Sequence, residues 1–251
     1  MDSSVRHEAV SIVEHVGELR KKLLIAVMAV VVGTAITHFF HEQIIAFLLK
    51  PAGTQELIFL SPLEPLLFIL KIDIVGGVLI AFPVISWSLF SFIAPAIPDH
   101  VRKLLVFFFA TSLFLLVVGL LYAFLVTIPL TLKFLFSIVI VGIKNQISAQ
   151  SYISFFLTQA VIISVIFQVP IFVIGGAHLR MFKTTFLSEK RRYIYLIITI
   201  ALAIITPTTD IFSLAVVLVP CLVIFEISLI GAKIAELLNR RKDAKKIHTT
   251  S

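Results

Sequence analysis

The chain has one cysteine, Cys221, which excludes an intramolecular disulfide framework and an internal cysteine-rich zinc site. Charge is equally scarce. Asp, Glu, Lys and Arg make up 14% of the 251 residues, where a soluble domain carries roughly a quarter. What takes their place is apolar: 59% of residues are hydrophobic, and the mean hydropathy is +1.10. So little polar surface cannot cover so much apolar surface against water, so an integral membrane protein is expected. Further absences narrow the chemistry. There is no His-Glu-x-x-His zinc pair, no Gly-x-Asp dyad and no Ser/His pair at matching depth, which argues against an intramembrane protease. P-loop and dinucleotide glycine patterns are missing too. No enzyme, metal or cofactor is expected. The chain is read as having no cleavable signal peptide, transit sequence, fixed-period repeat or low-complexity tract.

A membrane-spanning helix needs about 20 apolar residues, because in lipid its backbone must be hydrogen-bonded internally. Six runs qualify or nearly do: Leu23 to Phe40, Ile74 to Pro98, Leu104 to Leu132, Phe155 to Ala177, Tyr193 to Ile205, and Ile211 to Ile230. The second is interrupted by Pro83, the fourth by Pro170 and the sixth by Pro220. Residues 41–71 read as a structured loop. The expected fold is all-α, with six transmembrane helices in one domain covering 1–251. The fifth run is short. Its thirteen residues rise about 20 Å against a hydrocarbon core of about 30 Å, so either its neighbours tilt or the bilayer thins beside it.

The net charge of +7 is no sign of nucleic-acid binding once it is distributed over the loops. Of the 21 Lys and Arg residues, seventeen fall on the side of the N-terminus and only Lys50, Lys71, Lys133 and Lys144 on the other. By the positive-inside rule both termini are cytoplasmic. Residues 1–22 then form a cytoplasmic N-terminal segment, and 233–251 a basic cytoplasmic tail attracted to anionic lipid.

Few polar groups stand inside the spans. Gln168, just before Pro170, is the one deep glutamine in this reading. It bonds the carbonyl that Pro170 leaves free, joins two helices, or meets a substrate within the bilayer. Asp73, Asp99, Asp210 and Glu226 fall near span ends, where a charge reaches water at little cost. Glu14 and Glu18 lie four apart, on one side of a short helix just before the first span. A carboxylate at that level is a solubiliser or a docking point for a basic partner. Asp99 follows Pro95 and Pro98 in a short cytoplasmic loop and reads as a helix N-cap. Glu64 and Lys71, seven apart, read as a solvated pair on an interfacial helix.

His15-Val-Gly-Glu-Leu-Arg-Lys-Lys22 resembles the His-Leu-x-Glu-Leu-Arg-x-Arg opening of the TatC family, receptor subunits of the twin-arginine (Sec-independent) protein translocase. The likeness extends along the chain. It takes in Pro62, Glu64, Pro65 and Lys71, then Pro83 and Phe92-Ile-Ala-Pro-Ala-Ile97, then Gly119, Tyr122 and Pro129. It continues through Phe167-Gln-Val-Pro170, Thr206-Pro207, Asp210, Ser213, Pro220 and Phe225-Glu226. The resemblance implies a concave six-helix bundle in the plasma membrane with short fifth and sixth helices. The implied function is to bind the paired arginines of signal peptides on folded cargo. Partners would be TatA-type single-span proteins, a TatB-type protein where one exists, and further copies of the chain itself. Export would be driven by the protonmotive force.

Carried over by position, Glu18 is the recognition carboxylate, with Arg20, Phe92, Pro95 and Asp99 in the same cytoplasmic region. Gln168 and Pro170 would meet partners within the membrane. Glu64, Lys71, Pro207, Asp210 and Glu226 complete the matched positions. The chain departs from the family in two places: Val101 stands where a glutamate is usual, and Gln168 stands where many members have glutamate. The turn from Thr206 to Asp210 is one residue longer than the common form. A six-helix transporter of a small solute is the alternative. It calls for a midplane polar cluster or an inverted repeat, and the sequence displays neither.

Overall fold

The computed structural model describes the backbone of residues 3–53, 56–94, 102–138, 146–179, 181–206 and 210–249, and within those bounds the side chains of 16–94, 104–206 and 210–238. The chain divides into two compact units: Met1–Ala46 with Ile69–Leu113, and Phe47–Phe68 with Phe114–Ser251.

The first unit is built on α1 (Ser3–Phe39) and the greater part of α3 (Glu64–Ile93). α1 is one continuous helix of 37 residues. Residues 14–22 are therefore a mid-helix stretch running directly into the first span, where a separate short helix was expected. α1 and α3 meet along small residues. A Cβ added to Gly33 would lie 2.5 Å from the Gly77 carbonyl oxygen, so only hydrogen on that side lets the backbones approach this closely. Gly76 and Gly77 face Thr37 and Thr34 in the same seam. Thr37 is fully buried there and donates its hydroxyl to Gly33 O at 2.9 Å, which satisfies that hydroxyl inside the joint. α4 (Arg102–Tyr122) contributes Phe109, whose ring meets Trp87 edge-on at 5.2 Å.

α3 begins at Glu64, ten residues before the expected start of the second span, because residues 64–73 add nearly three polar-edged turns without a break. That extension changes the standing of Asp73. It stands level with the end of α1, as expected of a span-end carboxylate, but it is buried and held by His38 Nδ1 at 2.7 Å rather than open to water.

The 41–71 segment also departs from a plain loop: α2 (His41–Leu48), most of it assigned to the first unit, precedes a 3-10 turn at Lys50–Ala52 and a short strand, β1 (Leu57–Ile58), both of the second. β1 pairs in parallel with β2 (Ile147–Ser148). The third span is helical from α4 through α5 (Ile128–Ser137), with a π turn at Ala123–Thr127. Pro129 explains the turn. It cannot donate to the carbonyl four residues back, and the helix widens just before it.

α6 (Ala149–Ile166) starts on Ser148, whose Oγ accepts from Ser151 N at 3.3 Å. A turn at Phe167 and Gln168 separates it from α7 (Val169–His178), as Pro170 foretells. Two-thirds of the apolar window of this span is buried, against 28% or less for the other candidates, so α6 and α7 form the centre of their unit. α8 (Thr184–Glu189) and α9 (Arg191–Ile205) follow. α10 (Ile211–Thr249) packs along α7 and runs as helix through the basic tail.

Among the described residues five helical stretches are long and apolar enough to cross a membrane: Val16–Phe39, Glu64–Ile93, Leu104–Ser137, Ala149–His178 and Ile211–Leu238. α9 is the sixth. Its 15 residues rise only about 22 Å, as the short fifth run implied.

Candidate functional site

The candidate docking surface lies at one end of the first unit. Lys22 Nζ donates to Ser91 Oγ at 3.0 Å and joins the first turns of the α1 span to the last turns of α3. Glu18 stands one turn before Lys22, on the same side of α1, and Phe92 follows Ser91. Glu18 is exposed, and its carboxylate has no partner among the described residues. The lysine that would neutralise it at this helical spacing is turned to Ser91 instead. Phe92 is half-buried and packed. Arg20 is exposed and lies two residues from both Glu18 and Lys22, which turns it to another side of the helix. A carboxylate with no partner among the described residues, one helical turn from the joint between two helices, suits a guanidinium: it offers charge and bidentate geometry. The Lys22–Ser91 joint escaped sequence reasoning, since a lysine in a basic run reads only as a topology anchor. Glu14, Pro95, Asp99, Val101 and Pro207 fall outside the residues whose side chains are described.

The other singled-out residues lie in the second unit or, for Lys71, in the first. Gln168 is buried and partnered. Its backbone closes the turn ahead of Pro170, with Gln168 N donating to Val165 O and Ile171 N to Gln168 O, both at 3.0 Å. Glu64 is no solvated pair member. Its Oε2 accepts from Leu60 N at 2.9 Å and from Ser148 Oγ at 3.5 Å, tying the start of α3 to the β1–β2 pairing. Lys71 is exposed, and it too has a partner.

Asp210 caps α10, its Oδ1 accepting from Ser213 N at 2.6 Å, so the longer turn before it leaves the capping role intact. Glu226 accepts from the Tyr195 hydroxyl and lies 3.5 Å from an Arg191 guanidinium nitrogen. Arg191 opens α9, so the polar end of that short helix lies level with Glu226, near the end of the apolar run of α10. Among the described residues no group of three His, Cys, Asp or Glu side chains is placed to hold a metal ion.

A profile of the family described as "Sec-independent protein translocase protein (TatC)" matches residues 14–220. The chain belongs to the TatC family. The TatC of Carboxydothermus hydrogenoformans is 31% identical over 222 residues, covering 88% of this chain and 91% of that one. The TatC of Aquifex aeolicus is 31% identical over 239 residues, covering 93% and 98%. A crystal structure entitled "Twin Arginine Translocase Receptor- TatC" superposes with a TM-score of 0.78 at 32% identity, covering 88% of this chain and 99% of that one. The chain is thus a multi-pass TatC subunit of the twin-arginine, Sec-independent translocase, and its helices are those of the six-helix TatC fold. The transporter alternative is not favoured by matches that span the chain.

One polar residue of this TatC chain went unremarked in the sequence. Gln159 is fully buried, deeper than the 8%-exposed Gln168, so there are two deep glutamines. It sits in Leu157-Thr-Gln-Ala160, with no proline or charge to flag it.

Proposed function

We propose that this chain is the receptor and core subunit of its translocase. It binds the paired arginines of signal peptides on folded cargo and assembles with TatA-type, and where present TatB-type, single-span proteins for export driven by the protonmotive force. One observation carries the reading: Glu18 is an exposed carboxylate without a partner among the described residues, on a helix whose neighbouring Lys22 is engaged elsewhere. Glu18 is the first recognition carboxylate, Arg20 and Phe92 line the same cytoplasmic patch, and Pro95 and Asp99 belong to the loop that completes the region. With Val101 in place of the usual glutamate, Glu18 carries more of the recognition than in relatives.

The excess of Lys and Arg on one side supports a plasma-membrane orientation with both termini cytoplasmic. We take 1–251 as one functional domain acting in a complex with further copies. Gln168 and Pro170 serve partner contacts within the membrane; Glu64, Lys71, Pro207, Asp210 and Glu226 shape the opposite loops and the last helix pair. Gln168 has an amide and cannot titrate, so proton sensing is not its role.

The test is site-specific photo-crosslinking from positions 18 and 92 to signal peptides carrying Arg-Arg or Lys-Lys. Several-fold stronger crosslinking to Arg-Arg is expected. Equal crosslinking to both would overturn the assignment.

A further inference from the structure

We infer that the second unit contains a file of protein-bound water, reaching from one end of the unit about a third of the way along the Ala149–His178 span and held by Ser213, Thr131, Thr127 and Gln159. All four residues are fully buried. The hydroxyls of Ser213, Thr131 and Thr127 and both amide atoms of Gln159 have no hydrogen-bond partner among the described residues.

The contrast with six other helical hydroxyls gives this weight. Thr111, Ser154, Ser164, Thr199, Thr206 and Ser228 each donate to the carbonyl four residues back, the local remedy for a hydroxyl in an apolar helix. Thr127 and Thr131 do not.

Register brings the four together. A Cβ on Gly119 would touch Phe167 Cβ at 3.0 Å, which sets the third and fourth spans side by side at that level. Thr127 and Gln159 each lie eight residues from this contact on these oppositely directed spans, and so at one height. Thr131 is one helical turn further along the same buried face. Phe134 and Phe212 stack at 4.4 Å, placing Ser213 at the next step of the seam where α5 and α10 pack.

The row therefore descends from the start of α10 to Gln159, which lies ten residues, or about 15 Å, beyond the start of α6. Complete burial excludes a lipid or a partner helix as the missing acceptor and donor. The group has both donors and acceptors, unlike an ion site, and water is the ligand that serves both. At the usual two to four bonds each, roughly two or three molecules satisfy it. The inference does not depend on what docks at Glu18.

The test is synchrotron radiolytic labelling of the whole protein in nanodiscs, in water enriched in oxygen-18. Phe156 stands one turn from Gln159 and is 3% exposed; Phe108, in the first unit, is 8% exposed and serves as the dry comparison. Bound water beside Phe156 predicts its oxygen-18 hydroxylation several-fold faster than that of Phe108. The Thr127→Val, Thr131→Val, Gln159→Leu triple variant is expected to bring Phe156 down to the Phe108 rate. Equal rates in the wild type overturn the inference, as does unchanged labelling in a folded triple variant. If that variant does not fold, the wild-type comparison decides alone.

Discussion

His38 Nδ1 stands 2.7 Å from Asp73 Oδ2 and makes the polar joint between the end of α1 and the first turns of α3. The two partners are unequal: the His38 side chain is 60% exposed, that of Asp73 only 7%. His38 can return to water when the bond is lost, whereas Asp73 cannot. Its other oxygen, Oδ1, is already buried without a partner among the described residues. His38→Ala is therefore expected to destabilise the protein in detergent by about 1–3 kcal/mol, the cost of stranding a buried acceptor. Adding Asp73→Leu should recover part of that loss, because it removes the stranded group. Thermal unfolding of both variants checks this. A double variant less stable than His38→Ala alone would sink the account.

The glycine seam makes a sharper claim. Gly33 faces the Gly77 carbonyl, a backbone atom that cannot turn aside, so Gly33→Ala is expected to cost about 1–3 kcal/mol through overpacking. Gly17 lies on the same helix with nothing within 4 Å of an added Cβ. There Gly→Ala should stabilise by roughly 0.5–1 kcal/mol, the helix-propensity difference alone. The opposite signs, read as shifts in Tm, separate packing from propensity within one helix.

Glu226 holds the start of α9 through Tyr195 and Arg191. The Arg191 pair is 40% and 33% exposed, so solvent screens it, and Arg191→Ala should cost under about 1 kcal/mol. Glu226→Ala loses both contacts and is expected to cost more than either Arg191→Ala or Tyr195→Phe. Unfolding midpoints of the three variants provide the ranking, and a larger loss from Arg191→Ala would refute it.

The apolar runs made all six helices legible, because in lipid an uninterrupted apolar stretch has few structures open to it. Their ends were less legible. α3 starts at Glu64 and α10 continues to Thr249 because amphipathic turns extend a helix as readily as apolar ones, with no change in composition to mark the step. That hid the burial of Asp73. The pairing of Leu57 with Ile147 joins two-residue strands ninety positions apart, and no periodicity exists in so short a piece. Of the candidate site, Glu18 and Phe92 were legible through resemblance, while the Lys22–Ser91 joint required coordinates. Gln159 was passed over because a glutamine without a charge or proline beside it carries no signal of depth.

Glu18 remains the residue on which the proposed function turns. Lys22 holds Ser91, so it does not neutralise Glu18, and the two substitutions should separate cleanly. Glu18→Gln keeps size and hydrogen bonding but removes the charge, so the strong form of the arginine contact is lost while the helix is unaffected. Crosslinking from position 92 should then no longer distinguish Arg-Arg from Lys-Lys peptides, with Tm unchanged. Lys22→Met, by contrast, frees Ser91 and loosens the joint beneath the site. It should lower Tm and weaken binding of both peptides together without altering their ratio. If Lys22→Met abolished discrimination while Glu18→Gln preserved it, recognition would belong to the lysine end of the joint, and Glu18 would be reduced to a surface charge.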